Sequence, residues 1–388
     1  MQSLKSQFLL NPAITYLNFG SFGACPKPIF EDYIKWQYLL ESEPVQFIAF
    51  DGQTYLQQSR AALASYIHCD ADDVVLVTNP SYAVNIIAKS FPLQPDDEIL
   101  TTDLEYGACD KTWNYYCKKA GAIYRKHAIK LPITSAEELV NDFFKSVNVK
   151  TKLIFISHIT SSTALILPVA EICARAKQMG IMTFIDGAHA PGQVSLNLDT
   201  LQADIYTGAC HKWMMTPKGC SFLYVKKEYQ HLCDPLIVSW GYDSAMPSHS
   251  RFLDYHQMQG TRDFSAMLTI PKAIAFMQDN HWTEVASQCN KLVMDNALRF
   301  CNLLHAQPLS PVHPDFIGQL YSIAINSPEP EKLQRQLFEK YKIEIPVMRH
   351  GDKVFIRYSI NAFNSQHDLD VLYNALEEII REGILIRL

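Results

Sequence analysis

Short apolar runs alternate with longer amphipathic stretches through the middle of the chain, and this alternation constrains the fold more than any other feature. The apolar runs have the length of buried strands, and the stretches between them space their apolar residues as helices do. Strands are predicted over residues 74–78, 98–103, 122–129, 152–158, 181–186, 204–209 and 221–225. Helices are predicted over residues 81–91, 107–120, 136–147 and 169–179. Strands separated by single helices form βαβ units, so the sequence predicts an α/β fold with a mostly parallel, seven-stranded sheet covered on both faces.

The pattern changes near residue 282. Helices are predicted over 282–304, 330–341 and 367–381, with strands over 319–325 and 354–359 between them. A chain of 388 residues is also too long for one ordinary core. We therefore expect a large domain that ends at residue 281 and a small α+β C-terminal domain over 282–388.

Charge and apolar patterning exclude several classes of partner. The 34 Lys and Arg residues against 40 Asp and Glu give a net charge of −6 without a long basic run, which disfavours nucleic acid and membrane surfaces as partners. No apolar run approaches the ~20 residues of a membrane span, and the N-terminus lacks the features of a signal peptide. No two of the ten cysteines are spaced as CxxC, so we expect no metal site and reduced cysteines in a cytoplasmic protein.

Common nucleotide-binding and hydrolase motifs are missing from the sequence. No GxGxxG follows the first predicted strand, and neither a GxxxxGK[ST] nor a GxSxG motif occurs. Dinucleotide-binding, P-loop and serine-hydrolase functions therefore lose their main support.

Polar residues follow the predicted strands at the positions where open α/β sheets carry their chemistry. Asp186 ends one strand, and His211 and Lys212 follow the next. Pyridoxal 5'-phosphate requires a lysine amine for its aldehyde and a carboxylate that keeps its ring nitrogen protonated. It also requires donors for its phosphate, which a helix N-terminus such as the one near Ser81 supplies. These residues therefore indicate a pyridoxal-phosphate enzyme.

Six segments in the same order strengthen this interpretation. They are residues 16–23, 103–108, 185–189, 211–219, 260–263 and 356–361. The sequence resembles the class V aminotransferase group of fold-type I pyridoxal-phosphate enzymes, and within it the isopenicillin-N epimerase-like branch. The resemblance implies the predicted large and small domains, with residues 31–281 forming the cofactor-binding domain and residues 1–30 lying at the mouth of the active site. It also implies a homodimer with shared active sites.

The resemblance assigns roles around the cofactor ring. Lys212 is the lysine that bonds the aldehyde and moves the proton at the substrate Cα, and Asp186 pairs with the ring nitrogen. His189 and His158 lie by the ring hydroxyl, and Tyr106 stacks on the ring and belongs to the catalytic set. Leu104 departs from the branch, which usually has histidine at that position.

The resemblance also assigns the phosphate and substrate contacts. The phosphate is expected to be held by Ser81, the backbone of Tyr82, His211 and Thr207, with Thr261 reaching across from a neighbouring subunit. Ala209 replaces a polar residue that is common in the family. Arg357 is expected to bind the carboxylate of an amino-acid substrate, because a guanidinium matches a carboxylate with two parallel hydrogen bonds. Asn18 belongs to the segment that lines the substrate mouth.

Several reactions at Cα remain open from the sequence. Branch membership favours epimerisation, while transamination and lysis of a C–S bond in a cysteine conjugate are the alternatives. A cysteine desulfurase is disfavoured, because the family's desulfurases carry a nucleophilic cysteine shortly before the carboxylate-binding arginine, and residues 341–357 contain none. A non-catalytic binding protein is least favoured, because Lys212, Asp186 and Arg357 are all present.

Overall fold

The computed structural model describes residues 4–385 of the chain. The strands are β1 (Thr15–Tyr16), β2 (Val74–Val77), β3 (Glu98–Thr102), β4 (Ile123–His127), β5 (Thr151–Ser157), β6 (Met182–Gly187), β7 (Ile205–Ala209), β8 (Ser221–Val225), β9 (Leu320–Ile325), β10 (Ile343–Glu344), β11 (Val347–His350) and β12 (Lys353–Ser359). The α-helices are α1 (Phe19–Phe22), α2 (Lys27–Ser42), α3 (Gly52–Ile67), α4 (Pro80–Ser90), α5 (Gly107–Ala120), α6 (Ala136–Phe144), α7 (Val169–Gln178), α8 (Leu198–Leu201), α9 (Arg251–Gln257), α10 (Ser265–Leu268), α11 (Ile270–Asp279), α12 (Trp282–Leu304), α13 (Pro330–Glu339) and α14 (Gln366–Arg381).

A seven-stranded sheet forms the centre of the molecule, in the order β2-β8-β7-β6-β5-β3-β4. Strand β8 runs antiparallel to both of its neighbours, and the other pairings are parallel. The predicted mostly parallel sheet of seven strands is therefore confirmed. Nearly every residue of its inner strands is buried, which explains why these strands appear in the sequence as continuous apolar runs.

The helices cover the sheet with one apolar face each. In α7, Val169, Ile172, Cys173 and Ala176 are buried, at the spacing of one helical stripe. The same alternation of strand and covering helix places the carboxyl ends of β5, β6 and β7 side by side at one edge of the sheet. That edge is where the polar residues singled out in the sequence come together.

A separate three-stranded antiparallel sheet, in the order β11-β12-β9, forms beyond α12 together with α13 and α14. The N-terminal segment pairs with this region: β1 runs parallel to β10, and Asn18 forms a bridge with Ser359. We propose that the domain boundary lies at Trp282, where α12 begins. Among the described residues, none of the helices combines the length and the apolar character that crossing a bilayer requires.

Candidate active site

Lys212 lies in the connection that follows β7, at the carboxyl edge of the sheet. Its Nζ is 3.3 Å from Nε2 of His189. Burial in the pocket, reinforced by the positive charge of Arg357, lowers the pKa of Lys212 to about 8, although Asp186 opposes the shift. About a tenth of this amine is therefore uncharged at pH 7 and about half at pH 8. The uncharged form is the one that attacks an aldehyde or accepts a proton.

Asp186 lies near the end of β6 and is 4 % exposed. Its Oδ1 accepts a hydrogen bond from the N–H of Ala188 at 3.0 Å, and its Oδ2 accepts one from the thiol of Cys109 at 3.5 Å. Burial raises the pKa of this carboxyl. The nearby charge of Lys212 opposes this shift, but within residues 4–385 Asp186 forms no direct ion pair. The buried carboxyl can therefore pair directly with a cationic group of a bound ligand.

His189 connects Lys212 to the core. The indole N–H of Trp213 donates to its Nδ1 at 3.4 Å, so the neutral ring carries its proton on Nε2 and directs it toward the Lys212 amine. Burial, followed by the nearby charge of Lys212, holds the pKa of His189 well below its usual range. The ring therefore acts as a neutral donor in the pocket.

The start of α4 forms one wall of the same pocket, through residues 78–81. Ser81 lies at the second position of the helix, where the positive end of the helix dipole faces the pocket. His211 reaches this wall from the Lys212 connection, and its Nδ1–H donates to the carbonyl of Cys220 at 3.0 Å, which leaves Nε2 for a ligand. Burial lowers the pKa of His211 to about 4.

The expected role of Tyr82 needs correction. Its backbone N–H donates to Oδ1 of Asn79 at 2.9 Å, and its hydroxyl donates to Oε1 of Gln259 at 3.1 Å, so neither group is free for a phosphate. Asn79 is the N-cap of α4, and it lines the pocket although the sequence analysis did not select it. An asparagine directly before a proline at a helix start is a capping signature that could have identified it.

Two further predicted cofactor contacts lie away from the pocket. The ring of His158 makes a 3.0 Å hydrogen bond between Nδ1 and the hydroxyl of Tyr206, and its side chain lines a different groove. The hydroxyl of Thr207 donates to the carbonyl of Phe222 at 2.8 Å inside the sheet. His158 points away because Ser157, the residue before it, faces the pocket and successive side chains alternate.

Tyr106 stands at the pocket wall, immediately before α5, with half of its side chain exposed. Leu104, two residues earlier, is instead buried in the core. Between them, Glu105 is enclosed and accepts hydrogen bonds from the Thr102 hydroxyl at 2.6 Å and from both N–H and hydroxyl of Ser157, at 2.9 and 2.6 Å. Burial raises the pKa of Glu105 to about 8. This buried carboxyl, which the sequence analysis missed, joins the ends of β3 and β5 beneath the pocket.

Arg357 lies on β12 and is 1 % exposed. It does not itself line the pocket, but it contacts two residues that do. Its Nη1 donates to the carbonyl of Ser161 at 2.5 Å and its Nη2 donates to Oγ of Ser21 at 3.2 Å, and both serines line the pocket. Its Nε is buried without a partner in the described part of the chain. Burial lowers the pKa of Arg357 to about 10, so the group stays charged near neutral pH. Asn18 does not line the pocket but accepts a hydrogen bond from the Ser21 hydroxyl and orients it.

The mouth of the pocket is formed by the N-terminal segment. Phe22 and Lys218 line it, and Lys218 donates to the carbonyl of Gly23 at 3.4 Å. A side chain at Gly23 would place its Cβ 2.1 Å from the carbonyl oxygen of His211, and φ is +66° there. Only glycine allows this segment to pack so closely on the Lys212 connection. Thr261 is exposed, and its expected contact across a subunit boundary stays a prediction.

The pocket, of about 430 Å³, fits pyridoxal 5'-phosphate on the chemistry of its lining. A buried carboxyl that forms no direct ion pair within residues 4–385, an amine of lowered pKa and a helix N-terminus are the three groups that the ring nitrogen, the aldehyde and the phosphate require. Among the described residues, no cluster of histidine, cysteine and acidic side chains is arranged to hold a metal ion.

Comparison with known proteins agrees with this donor set. The family described as aminotransferase class-V matches residues 42–372. The chain belongs to this family. Class V aminotransferases use pyridoxal phosphate, so the protein is a pyridoxal-phosphate-dependent enzyme, and the predicted family and cofactor are confirmed.

Relatives within the class V family carry different activities. The isopenicillin N epimerase of Amycolatopsis lactamdurans is 30 % identical over 97 % of both chains, and that of Streptomyces clavuligerus is 31 % identical over 98 % of both. A putative L-cysteine desulfhydrase of Oryza sativa is 26 % identical, over 95 % of this chain and 84 % of its own length.

Solved structures share the fold. The cystine C–S lyase C-DES, in complex with cysteine persulfide, aligns with a TM-score of 0.81 at 22 % identity, over 94 % of this chain and 97 % of its own. The same protein has also been solved as a mutant with glycine covalently linked to its pyridoxal-phosphate cofactor, with a TM-score of 0.82 at 22 % identity, over 96 % of this chain and 99 % of its own. These likenesses confirm the fold-type I class for this class V family member.

Proposed function

We propose that the protein epimerises an amino acid or amino-acid conjugate at Cα. The observation that carries this proposal is the placement of two proton-carrying side chains. Lys212 follows β7 and Tyr106 follows β3, while β6 with Asp186 and β5 lie between them in the sheet. The two groups thus line one pocket from opposite sides of Asp186, as removal of a proton from one face of Cα and return on the other requires.

Each group has a distinct part in this reaction. Bound pyridoxal phosphate supplies the electron withdrawal that weakens the bonds at Cα. Arg357 holds the substrate carboxylate at the pocket edge, between Ser21 and Ser161, and so fixes the orientation of Cα. The uncharged amine of Lys212 takes the Cα proton, and the hydroxyl of Tyr106 returns a proton from the other side. Asp186 would pair with the ring nitrogen of the bound cofactor and favour its charged form.

The test follows the fate of the Cα proton. Purified holoenzyme is incubated in deuterated water with L-alanine, L-cysteine and short peptides. The products are followed by NMR and chiral chromatography. Deuterium uptake at Cα with loss of chirality supports epimerisation. Deuterium uptake with retained chirality would show that only one face receives a proton, which would contradict the role of Tyr106.

Lysis of a C–S bond is the second candidate. The cysteine desulfhydrase relatives and the structural likeness to a cystine C–S lyase favour it. In the same incubation, pyruvate and a thiol or sulfide from L-cysteine or a cysteine conjugate would identify a lyase. A new amino acid formed from an added keto acid would instead identify an aminotransferase.

A desulfurase is not supported by the site. Cys109 is the one cysteine that lines the pocket within the described residues, and it lies against Asp186 with its pKa raised well above the usual range by burial. Its sulfur is therefore a thiol held by the carboxylate, and not the exposed thiolate that persulfide chemistry requires.

We also propose that the protein is a cytoplasmic homodimer. The segment around residues 237–246 exposes Ile237, Val238, Trp240, Tyr242 and Met246, a concentration of apolar surface that a second copy would cover. Thr261 follows this segment and is exposed, in line with the expected contact to the partner's cofactor. Light scattering of the holoenzyme tests the dimer, and Trp240→Glu should produce a monomer that loses cofactor.

The ten cysteines are free, which agrees with a reducing compartment such as the cytoplasm.

A further inference from the structure

One loop of the pocket is held by side chains from all three strands of the small sheet. Ser161 and Ser162, which we call the carboxylate loop, follow β5. Arg357 on β12 donates to the carbonyl of Ser161 at 2.5 Å, and the hydroxyl of Ser322 on β9 donates to the carbonyl of Ser162 at 2.7 Å. Arg357 and Ser322 are direct cross-strand partners, so they project from the same face of the sheet.

The third strand contributes His350, at the end of β11. Its Nδ1 is 3.2 Å from Oγ of Ser162, and its Nε2 is 2.6 Å from the carbonyl oxygen of Asp103. A carbonyl only accepts, so Nε2 carries the proton and donates it to Asp103, while Nδ1 accepts from the Ser162 hydroxyl. His350 thus contacts two loops that are distant in sequence.

The second of these loops is the turn over residues 103–106, which we call the Tyr106 turn. It presents Tyr106 to the pocket and contains Glu105, whose carboxyl is bound by Ser157. The carboxylate loop and the Tyr106 turn are the two parts of the pocket wall that would meet the substrate carboxylate and the cofactor ring. His350 itself does not line the pocket.

We propose that His350 is a positioning residue that couples the carboxylate loop to the Tyr106 turn, so that substrate binding at Arg357 and the placement of Tyr106 depend on the small sheet. The part of the inference that concerns binding of an amino-acid substrate at Arg357 rests on the proposed function. The coupling of the two loops by His350 is a property of the fold and does not depend on it.

Two substitutions separate the two bonds. His350→Asn places an amide oxygen near the position of Nδ1, so it keeps the bond from Ser162 and loses the bond to Asp103. His350→Gln places an amide N–H near the position of Nε2, so it keeps the bond to Asp103 and loses the bond from Ser162. Ser162→Ala should reproduce the effect of His350→Gln. His367→Ala, at an exposed histidine of α14, is the matched control.

Hydrogen–deuterium exchange of the holoprotein tests the coupling without a substrate. His350→Ala should speed amide exchange roughly two- to tenfold in peptides covering both loops. His350→Asn should speed it only in the Tyr106 turn, and His350→Gln only in the carboxylate loop. Unchanged amide exchange in His350→Ala would overturn the proposal. An identical change in all three His350 variants would also overturn it, because it would indicate lost packing and not the loss of particular hydrogen bonds.

A ligand titration tests the consequence for the site. Binding of 2-methylalanine, which has no Cα proton to lose, is followed by the absorbance of the cofactor. His350→Ala should weaken this binding about tenfold, because both bonds that hold the two loops in place are lost, and His367→Ala should leave it unchanged. Amino-acid binding by His350→Ala that matches the wild type would contradict a positioning role. If the wild-type protein does not bind 2-methylalanine, the result contradicts the proposed function. The hydrogen–deuterium exchange experiment then tests the coupling of the two loops by itself.

Discussion

The floor and the mouth of the pocket are built in opposite ways. The floor consists of Asp186, His189 and Lys212, which come from the central sheet and its connections and have their polar atoms fixed by neighbouring groups. The mouth consists of Phe22 and Lys218, which come from the N-terminal segment and from the chain that follows Lys212 and are exposed. The difference indicates that the floor determines the cofactor chemistry, while the mouth is free to vary with the substrate.

The largest effect is expected at the floor, from Lys212→Ala. Loss of the base should reduce Cα proton exchange by about 10²- to 10⁴-fold, since general base catalysis contributes on this scale. The rate is measured by deuterium uptake. In parallel, borohydride should fix the cofactor covalently in the wild type and not in the variant. Covalent retention in Lys212→Ala would assign the cofactor to another amine.

Asp186→Asn should reduce the rate by about 10²- to 10³-fold, the scale for one preorganised electrostatic contact. The amide keeps the shape of the side chain but cannot stabilise a charged ring nitrogen. Cofactor absorbance and turnover are measured on the same sample. A variant that keeps full activity would show that the cofactor ring is not held at Asp186.

Arg357→Met should raise KM for the amino acid about 10- to 100-fold, because a charge-assisted pair of hydrogen bonds contributes about 1.5–3 kcal/mol. The effect should fall on KM and spare the affinity for the cofactor. Methionine keeps much of the side-chain volume, so the variant should remain folded. A lower melting temperature in thermal denaturation would indicate a structural role for Arg357 in place of substrate binding.

Cofactor capture by the apoprotein should depend on pH through the Lys212 amine. Its pKa is lowered to about 8, so the neutral fraction of the amine falls about tenfold for each pH unit below that value. Above that pH most of the amine is neutral. The rate of capture, followed by absorbance, should rise from pH 6 to 8 and then level off. Arg357→Met should move this rise to higher pH, because the charge of Arg357 helps to lower the pKa. A rate independent of pH would contradict the role of Lys212.

The smallest effect is expected at the mouth, from Phe22→Ala. This ring is 67 % exposed, so its removal should change KM only about two- to threefold and leave cofactor affinity unchanged. The direction should differ between small and large amino-acid substrates. A marked loss of cofactor affinity in Phe22→Ala would show that floor and mouth are not separate in the way proposed.

Local pattern was enough to predict much of the molecule. The helix over residues 107–120 coincides with α5, and the seven predicted strands coincide closely with β2 to β8, because strand and helix periodicity are properties of neighbouring residues. Lys212, Asp186, His189, His211, Ser81 and Tyr106 all line one pocket. Their grouping followed from the rule that carboxyl ends of parallel strands share one edge.

The directions of individual side chains and the contacts between residues far apart in the chain could not be predicted from the sequence. Thr207 lies within β7 and His158 directly follows β5, yet their side chains bind the Phe222 carbonyl and the Tyr206 hydroxyl. A shift of one residue along a strand reverses the face, and a motif does not specify that register.

The sequence by itself determined the α/β core and the cofactor, because apolar periodicity and the lysine–carboxylate pair are written in local order and residue type. Only the tertiary structure decided that Glu105 joins Ser157 and that His350 contacts both pocket loops. Asp103 and His350 are 247 positions apart in the chain. Their contact depends on how two sheets pack against each other, which is set by the whole core and by no single segment.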